Sequence, residues 1–240
     1  MNKILILGHN GMLGHMVLKY LTDKGYEIST CNYRYPSLEF KDSVAKYSGD
    51  YIINCIGAIP QRTKEFAINH ELPIWLDTNA NCKIIHPGTD CEMDSDEYGI
   101  SKKIARDYIV ENGIKTKILK SSIIGPELNT NASLLEWFLS QTDSVYGYTK
   151  ALWNGNTTLE WAEQCYTLIN SWDSYKTETI LQGECVSKFE LLNKVKLVFE
   201  KNINILEKET ELIDKCLVGD IKTTNIEDQL KNLKKYYYEH

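Results

Sequence analysis

The chain has no long apolar run, no C-x-x-C pair and no basic stripe, and each absence excludes something. A membrane-spanning helix needs about 20 consecutive apolar residues, so no membrane partner is expected. The cysteines at 31, 55, 82, 91, 165, 185 and 216 are odd in number and scattered. Structural zinc sites use closely spaced pairs, and disulfide frameworks use even, patterned sets. The expectation is therefore no metal, and reduced thiols in a cytosol. Lysine and arginine total 27 against 33 acidic residues, a net charge of −6. Without a basic face interleaved with aromatics, nucleic acid is excluded as a partner. Histidine is scarce: only His9, His15, His70, His86 and His240. The N-terminus opens on an apolar run with no leader pattern, so a cytoplasmic protein is expected. A length of 240 residues suits one α/β domain, or one domain with a small lobe.

What is present is concentrated at the start. Ile4 to Leu7 is an unbroken apolar run, followed by Gly8, Gly11 and Gly14 and then by Leu13, Val17 and Leu21 at helical spacing. Such a strand, glycine turn and helix form the first unit of a dinucleotide-binding sheet. Gly8 permits the tight turn, Gly11 leaves room for a pyrophosphate, and Gly14 lets helix and strand approach. The helix N-terminus offers free N–H groups to phosphate. A tight turn with no ligand is the alternative for a glycine triplet taken alone.

Further strands are expected at Tyr26–Cys31, Tyr51–Ile56, Lys83–His86, Lys117–Ser122 and Thr179–Leu181, with a short one at Ile203–Leu206. Residues 62–80 read as a helix despite Pro73, and residues 98–112 as a helix that Ser95 or Asp96 caps and Gly113 ends. Thr157-x-x-Glu160 and Ser187-x-x-Glu190 are capping boxes, and residues 224–238 read as a last helix. The end of the second strand meets the adenosine ribose in dinucleotide sheets, where an acid favours NAD and an arginine a 2′-phosphate. Here the sequence is Cys31-Asn32-Tyr33-Arg34. Arg34 is the candidate for the 2′-phosphate; a solvated loop arginine is the alternative.

Tyr98-Gly-Ile-Ser-Lys102 places two polar groups at i and i+4, on one helix face. Together with the G-x-x-G-x-x-G spacing, this resembles the extended, nucleotide-sugar branch of the short-chain dehydrogenase/reductase superfamily. The whole chain resembles its dTDP-4-dehydrorhamnose reductase-like proteins. The resemblance implies an α/β fold of the Rossmann type: a doubly wound parallel sheet with a small, discontinuous C-terminal substrate lobe. The expected division is 1–122 plus 158–182 for cofactor and 123–157 plus 183–240 for substrate. It implies NADPH as cofactor, with NADH as the alternative, held by Gly8, Asn10, Gly11, Met12, Leu13, Gly14, Asn32, Arg34, Asn54, Gly57, Tyr98 and Lys102. Asn69 also falls where this family often has an asparagine. The catalytic set implied is Thr89, Tyr98 and Lys102. Asp90, Ser122, Glu127, Trp137, Trp153 and Asn154 fall where a nucleotide-sugar substrate would be held. A homodimer is left open.

Ketone reduction needs a hydride on carbon and a proton on oxygen. A free tyrosine titrates near ~10, and a nearby ammonium lowers that value. Tyr98 is thus the expected acid, Lys102 its tuner and ribose holder, and Thr89 the hydroxyl that orients the carbonyl. Thr89 and Tyr98 are only nine positions apart, a shorter loop than most of the resembled enzymes have. Dehydratases of the superfamily resemble Thr-Asp-Glu at this point; here Cys91 stands third and Glu92 is one place late, which disfavours dehydration. A combined 3,5-epimerase/4-reductase would need a histidine acid in the substrate lobe, where this sequence has only the terminal His240, and Cys91 reads better as a small packed residue. A non-catalytic NADP-binding regulatory subunit is the remaining alternative.

Overall fold

The structure is a computed structural model and describes residues 2–239, so His240 lies outside it. In chain order its elements are β1 (Lys3–Leu7), α1 (Met12–Asp23), β2 (Glu27–Cys31), α2 (Leu38–Ala45), β3 (Tyr51–Asn54), α3 (Ile68–Asn79) and β4 (Lys83–Gly88). A 3-10 turn (Asp90–Met93), α4 (Glu97–Asn112), β5 (Thr116–Lys120), β6 (Ile123–Ile124), α5 (Leu134–Ser140), β7 (Ser144–Tyr148), β8 (Ala151–Trp153) and β9 (Asn156–Thr157) follow. The chain closes with α6 (Thr158–Asn170), β10 (Glu178–Gln182), β11 (Val186–Ser187), α7 (Lys188–Val198), β12 (Asn204–Lys208), β13 (Ile213–Lys215), β14 (Ile221–Lys222) and α8 (Ile226–Leu233). Two compact units result: Met1–Lys120 with Ala162–Thr179, and Ser121–Trp161 with Ile180–His240. No helix among the described residues is long and apolar enough to cross a membrane.

The main sheet has seven strands in the order β14-β10-β5-β4-β3-β1-β2. β1 pairs in parallel with β2 on one side and with β3 on the other. The order reverses there, and ligands of such sheets bind outside the strand ends at that switch point. β1 and β3 read as continuous apolar runs because helices cover both faces; Ile4, Ile6, Ile52 and Ile53 are fully buried. One face packs Leu5, Leu7 and Ile52 against Phe40 and Val44 of α2 and Leu72 and Leu76 of α3. Truncating a side chain such as Phe40 to alanine there costs about 3–5 kcal/mol.

The structure moves several boundaries. α2 is an addition: Ser37 accepts from Phe40 N at 3.2 Å and caps it, and only Phe40 and Val44 turn inward. Its apolar stripe is too short to register as a periodic signal. α3 begins at Ile68 rather than near residue 62, which puts Pro73 in its second turn. β5 spans Thr116–Lys120 rather than residues 117–122. The caps at Asp96, Gly113 and Ser187 form as expected, and Gly25 takes φ +84° after α1.

In the second unit, β8 lies between β11 and β13, with Trp153 opposite both Val186 and Lys215. That register carries Cys185 and Cys216 together, and they form a disulfide with a Cα–Cα distance of 5.8 Å. The expectation of thiols throughout is therefore corrected. The sequence hid the pair because 31 residues separate two cysteines that only the sheet register brings side by side. Cys31, Cys55, Cys82, Cys91 and Cys165 form no disulfide. A buried amide network ties the same unit together: Gln229 Oε1 accepts from Thr157 N at 2.8 Å, and Asn156 Nδ2 donates to Ser121 Oγ at 2.8 Å.

Candidate active site

The glycine loop closes as its spacing requires. Gly8 has φ +77°, and a β-carbon on it would come within 2.9 Å of the Cys55–Ile56 backbone. A β-carbon on Gly14 would stand 2.2 Å from Gly8 O. Gly11 N donates to Gly8 O at 2.9 Å, and Gly11 starts α1 without a side-chain cap or an acid in the first turn. The first N–H groups of α1 thus face the crevice at the switch point, an arrangement that suits a phosphate. Asn10, Met12 and Leu13 lie on this turn, with Asn10 exposed and Leu13 buried beneath it.

Beside this loop, β3 delivers Asn54 and Gly57, and α4 delivers Lys102. Asn54 Nδ2 lies 3.2 Å from His86 Nδ1 on β4. Burial and the charge of Lys102 push that imidazole down to about 3, so it stays neutral. Asn69 on α3 donates to Ala58 O at 3.0 Å and to Ser101 Oγ at 3.1 Å, and accepts from Ala58 N at 2.8 Å. It thereby pins the loop after β3 to α4. Lys102 is 8% exposed, and its ammonium stands 3.1 Å from where a Gly57 β-carbon would be. Burial pulls Lys102 down to about 8, against the opposing influence of Glu92 and Cys91. A buried ammonium of this kind suits a polar ligand that would supply its acceptors.

Thr89 ends the strand and opens the 3-10 turn. Its hydroxyl donates to Asp90 Oδ1 at 3.0 Å and accepts from Cys91 N at 3.3 Å. The nine-residue spacing to Tyr98 is bridged by this turn. Gly99 makes the approach possible, since a β-carbon there would stand 2.4 Å from Cys91 O. Tyr98 is half-buried, edge-on to Phe66 with centroids 5.6 Å apart. Burial first, then the negative neighbours Cys91, Asp90, Glu92 and Asp96, raise its phenol well above the usual range. The expected lowering by Lys102 is corrected: the surroundings hold Tyr98 protonated, the form a proton donor needs. Glu92 lies in the 3-10 turn and not in an extended strand. The 3-10 turn carries it inward, onto Thr89 N at 3.0 Å and Lys120 Nζ at 2.6 Å.

The remaining candidates divide. Asp90 is buried beside Thr89. Arg34 and Asn32 are exposed after β2. In the second unit, Trp153 is 2% exposed and its indole donates to Ser122 Oγ at 2.7 Å. Asn154 spends its amide on Leu217, donating at 2.7 Å and accepting at 2.8 Å. Glu127 accepts from Ser133 N and Thr130 Oγ1; burial opposes its charge, but these bonds hold its carboxyl below the usual range. Ser122, Glu127, Trp153 and Asn154 therefore brace their own lobe. Trp137 is half-buried on α5. The sequence signal for Gly99 and Glu92 was a glycine inside the Tyr98 motif and a carboxylate three residues after Thr89, a capping box.

The strands, helices and glycine turn define a Rossmann-type α/β fold. No protein-family model matches the chain, and no curated protein does. Solved structures do. A dTDP-4-dehydrorhamnose reductase from Bacillus anthracis, in complex with NADP, is similar with a TM-score of 0.76 at 14% identity, over 100% of this chain and 99% of that one. A dTDP-4-dehydrorhamnose reductase ortholog from Clostridium acetobutylicum gives 0.70 at 16%, over 97% and 98%. A dTDP-glucose 4,6-dehydratase from Bacillus anthracis, in complex with NAD, gives 0.73 at 12%, over 100% and 97%. The chain thus has the fold of the extended short-chain dehydrogenases/reductases over its whole length.

Proposed function

We propose that the protein is an NADPH-dependent reductase of the 4-keto group of a nucleotide-linked 4-keto-6-deoxy sugar. One observation carries the reading: Tyr98 and Lys102 share a face of α4, and the buried Lys102 ammonium is aimed at Gly57 beside the switch point. The Gly8–Gly14 cradle fits a pyrophosphate, and Lys102 fits ribose hydroxyls. Bound NADPH would supply the hydride; NADH is the alternative. Tyr98, kept protonated by its surroundings, gives the proton to the carbonyl oxygen. Thr89 orients that oxygen once its hydroxyl turns from Asp90. Arg34 meets the 2′-phosphate, and the second unit is proposed as the substrate lobe in a cytoplasmic enzyme. A homodimer is proposed with it; Ile100 and Ile104, one turn apart on α4, are exposed and would be covered by one.

Dehydration is disfavoured because Glu92 is bound to Lys120. Epimerisation is disfavoured because His9, His15, His70 and His86 all fall in the first unit, which leaves only the terminal residue, His240, outside it. The test is NADPH oxidation against a panel of dTDP-, UDP- and GDP-linked 4-keto sugars. Turnover of at least one is expected, with no solvent deuterium at C3 or C5. Tight NADPH binding with no turnover of any would favour the regulatory-subunit reading.

A further inference from the structure

Glu92 is a buried carboxylate that the proposed reaction does not use. It is 6% exposed in the turn after β4. One oxygen accepts from Thr89 N, the other from Lys120 Nζ. Lys120, at the end of β5 and itself buried, also stands 3.6 Å from Glu178 Oε1. Arg106 grips Glu178 through Nε and Nη2 at 3.0 and 2.8 Å, and its Nη1 reaches Asp107 at 2.9 Å. Arg106 lies one turn after Lys102 on α4. Alternating charges thus run from the Thr89 backbone through Glu92, Lys120 and Glu178 to the helix that carries Lys102.

Burial pushes the Glu92 carboxyl above its ordinary value, against the pull of Lys120 and the Thr89 N–H, and a buried carboxylate is costly unless paired and hydrogen-bonded in this way. Capping a turn does not require the charge, because glutamine fills the same position of a capping box. The charge has another use in reach. Around Lys102 stand neutral His86 on β4 and Cys91 and Glu92 on the turn, with Asn69 Oδ1 facing the same Gly57 point. Of these groups Glu92 contributes most to keeping Lys102 charged. Around Tyr98 stand Cys91, Asp90, Glu92 and Asp96, all opposing a phenolate.

We propose that Glu92 is a positioning residue of this site: braced by Lys120, its carboxylate fixes the Thr89 backbone and places a negative charge within the site. The inference rests on the reading of Thr89 and Lys102 as site residues and deepens it.

The test compares Glu92→Gln, which keeps an acceptor but not the charge, with Glu92→Ala, which keeps neither. Two measurements need no turnover: the pH titration of the Lys102 ε-carbon by NMR, assigned with Lys102→Met, and hydrogen exchange of the Thr89 amide. Both variants should lower the Lys102 midpoint by about half a pH unit or more. Only Glu92→Ala should speed Thr89 exchange, by about tenfold, and Gln should restore protection. Should the Lys120 charge destabilise either variant, the same comparison is made with Lys120→Met added to both. An unchanged Lys102 midpoint in Glu92→Gln, or equal Thr89 protection in the two variants, overturns the proposal. Absence of keto-sugar turnover in the parent protein would defeat the functional reading instead, and these two measurements would still decide the role of Glu92.

Discussion

The Lys102 ammonium lies 3.1 Å from the point where a β-carbon on Gly57 would stand, at the switch point of the sheet. Burial holds Lys102 at about 8, so it is an ammonium below that pH and a neutral amine above it. NADPH affinity should therefore be steady up to about pH 7 and weaken as pH rises through 8 to 9.5. Lys102→Met should lower affinity by about tenfold or more, the worth of a charged hydrogen bond, and abolish that pH step. Gly57→Ala should also weaken binding, because its methyl presses on the nitrogen. Fluorescence titration across that pH range checks all three; a step that survives Lys102→Met assigns it to another group.

Arg34 follows β2, is exposed, and has a neighbour, Asn32, where an acid would select NAD. Charged hydrogen bonds to a 2′-phosphate are worth roughly 1.5–3 kcal/mol. NADPH should bind about tenfold or more tightly than NADH, and Arg34→Ala should remove most of that difference. Equal binding of the two cofactors by the parent protein would refute the assignment.

The Cys185–Cys216 disulfide joins two segments that flank β8. Denatured without reductant, the protein should show five thiols, and with reductant seven. Closing a separation of 31 residues is worth about 3–4 kcal/mol in the chain-entropy account. Cys216→Ser should lose about that much unfolding free energy under oxidising conditions and little under reducing ones. Seven thiols in the untreated protein would contradict the bond.

The glycine turn, the Tyr98–Lys102 face and the caps at Asp96 and Ser187 were legible because each is local: a fixed spacing sets which groups meet. The chain of Glu92, Lys120, Glu178 and Arg106 was not, since its members are 28 to 72 positions apart and meet through the register of β4, β5 and β10. Trp153 and Asn154 misled for a related reason. The resemblance places them against substrate, but Trp153 ends β8, the central strand of its sheet, with its indole buried, and the Asn154 amide just beyond it is bonded to Leu217. The tuning of Tyr98 was misread because helical spacing gives a shared face and says nothing of the acids on the adjoining turn.

The central claim is that Tyr98 gives the proton. Tyr98→Phe keeps the ring against Phe66 and removes only the hydroxyl. General acid catalysis contributes roughly 10²–10⁴-fold, so kcat for keto-sugar reduction should fall by about that factor while NADPH affinity barely changes. Thr89→Val, which loses one hydrogen bond and leaves the donor, should fall less, by about tenfold. A Tyr98→Phe protein that folds, binds NADPH and keeps nearly full turnover would place the acid elsewhere and contradict the account.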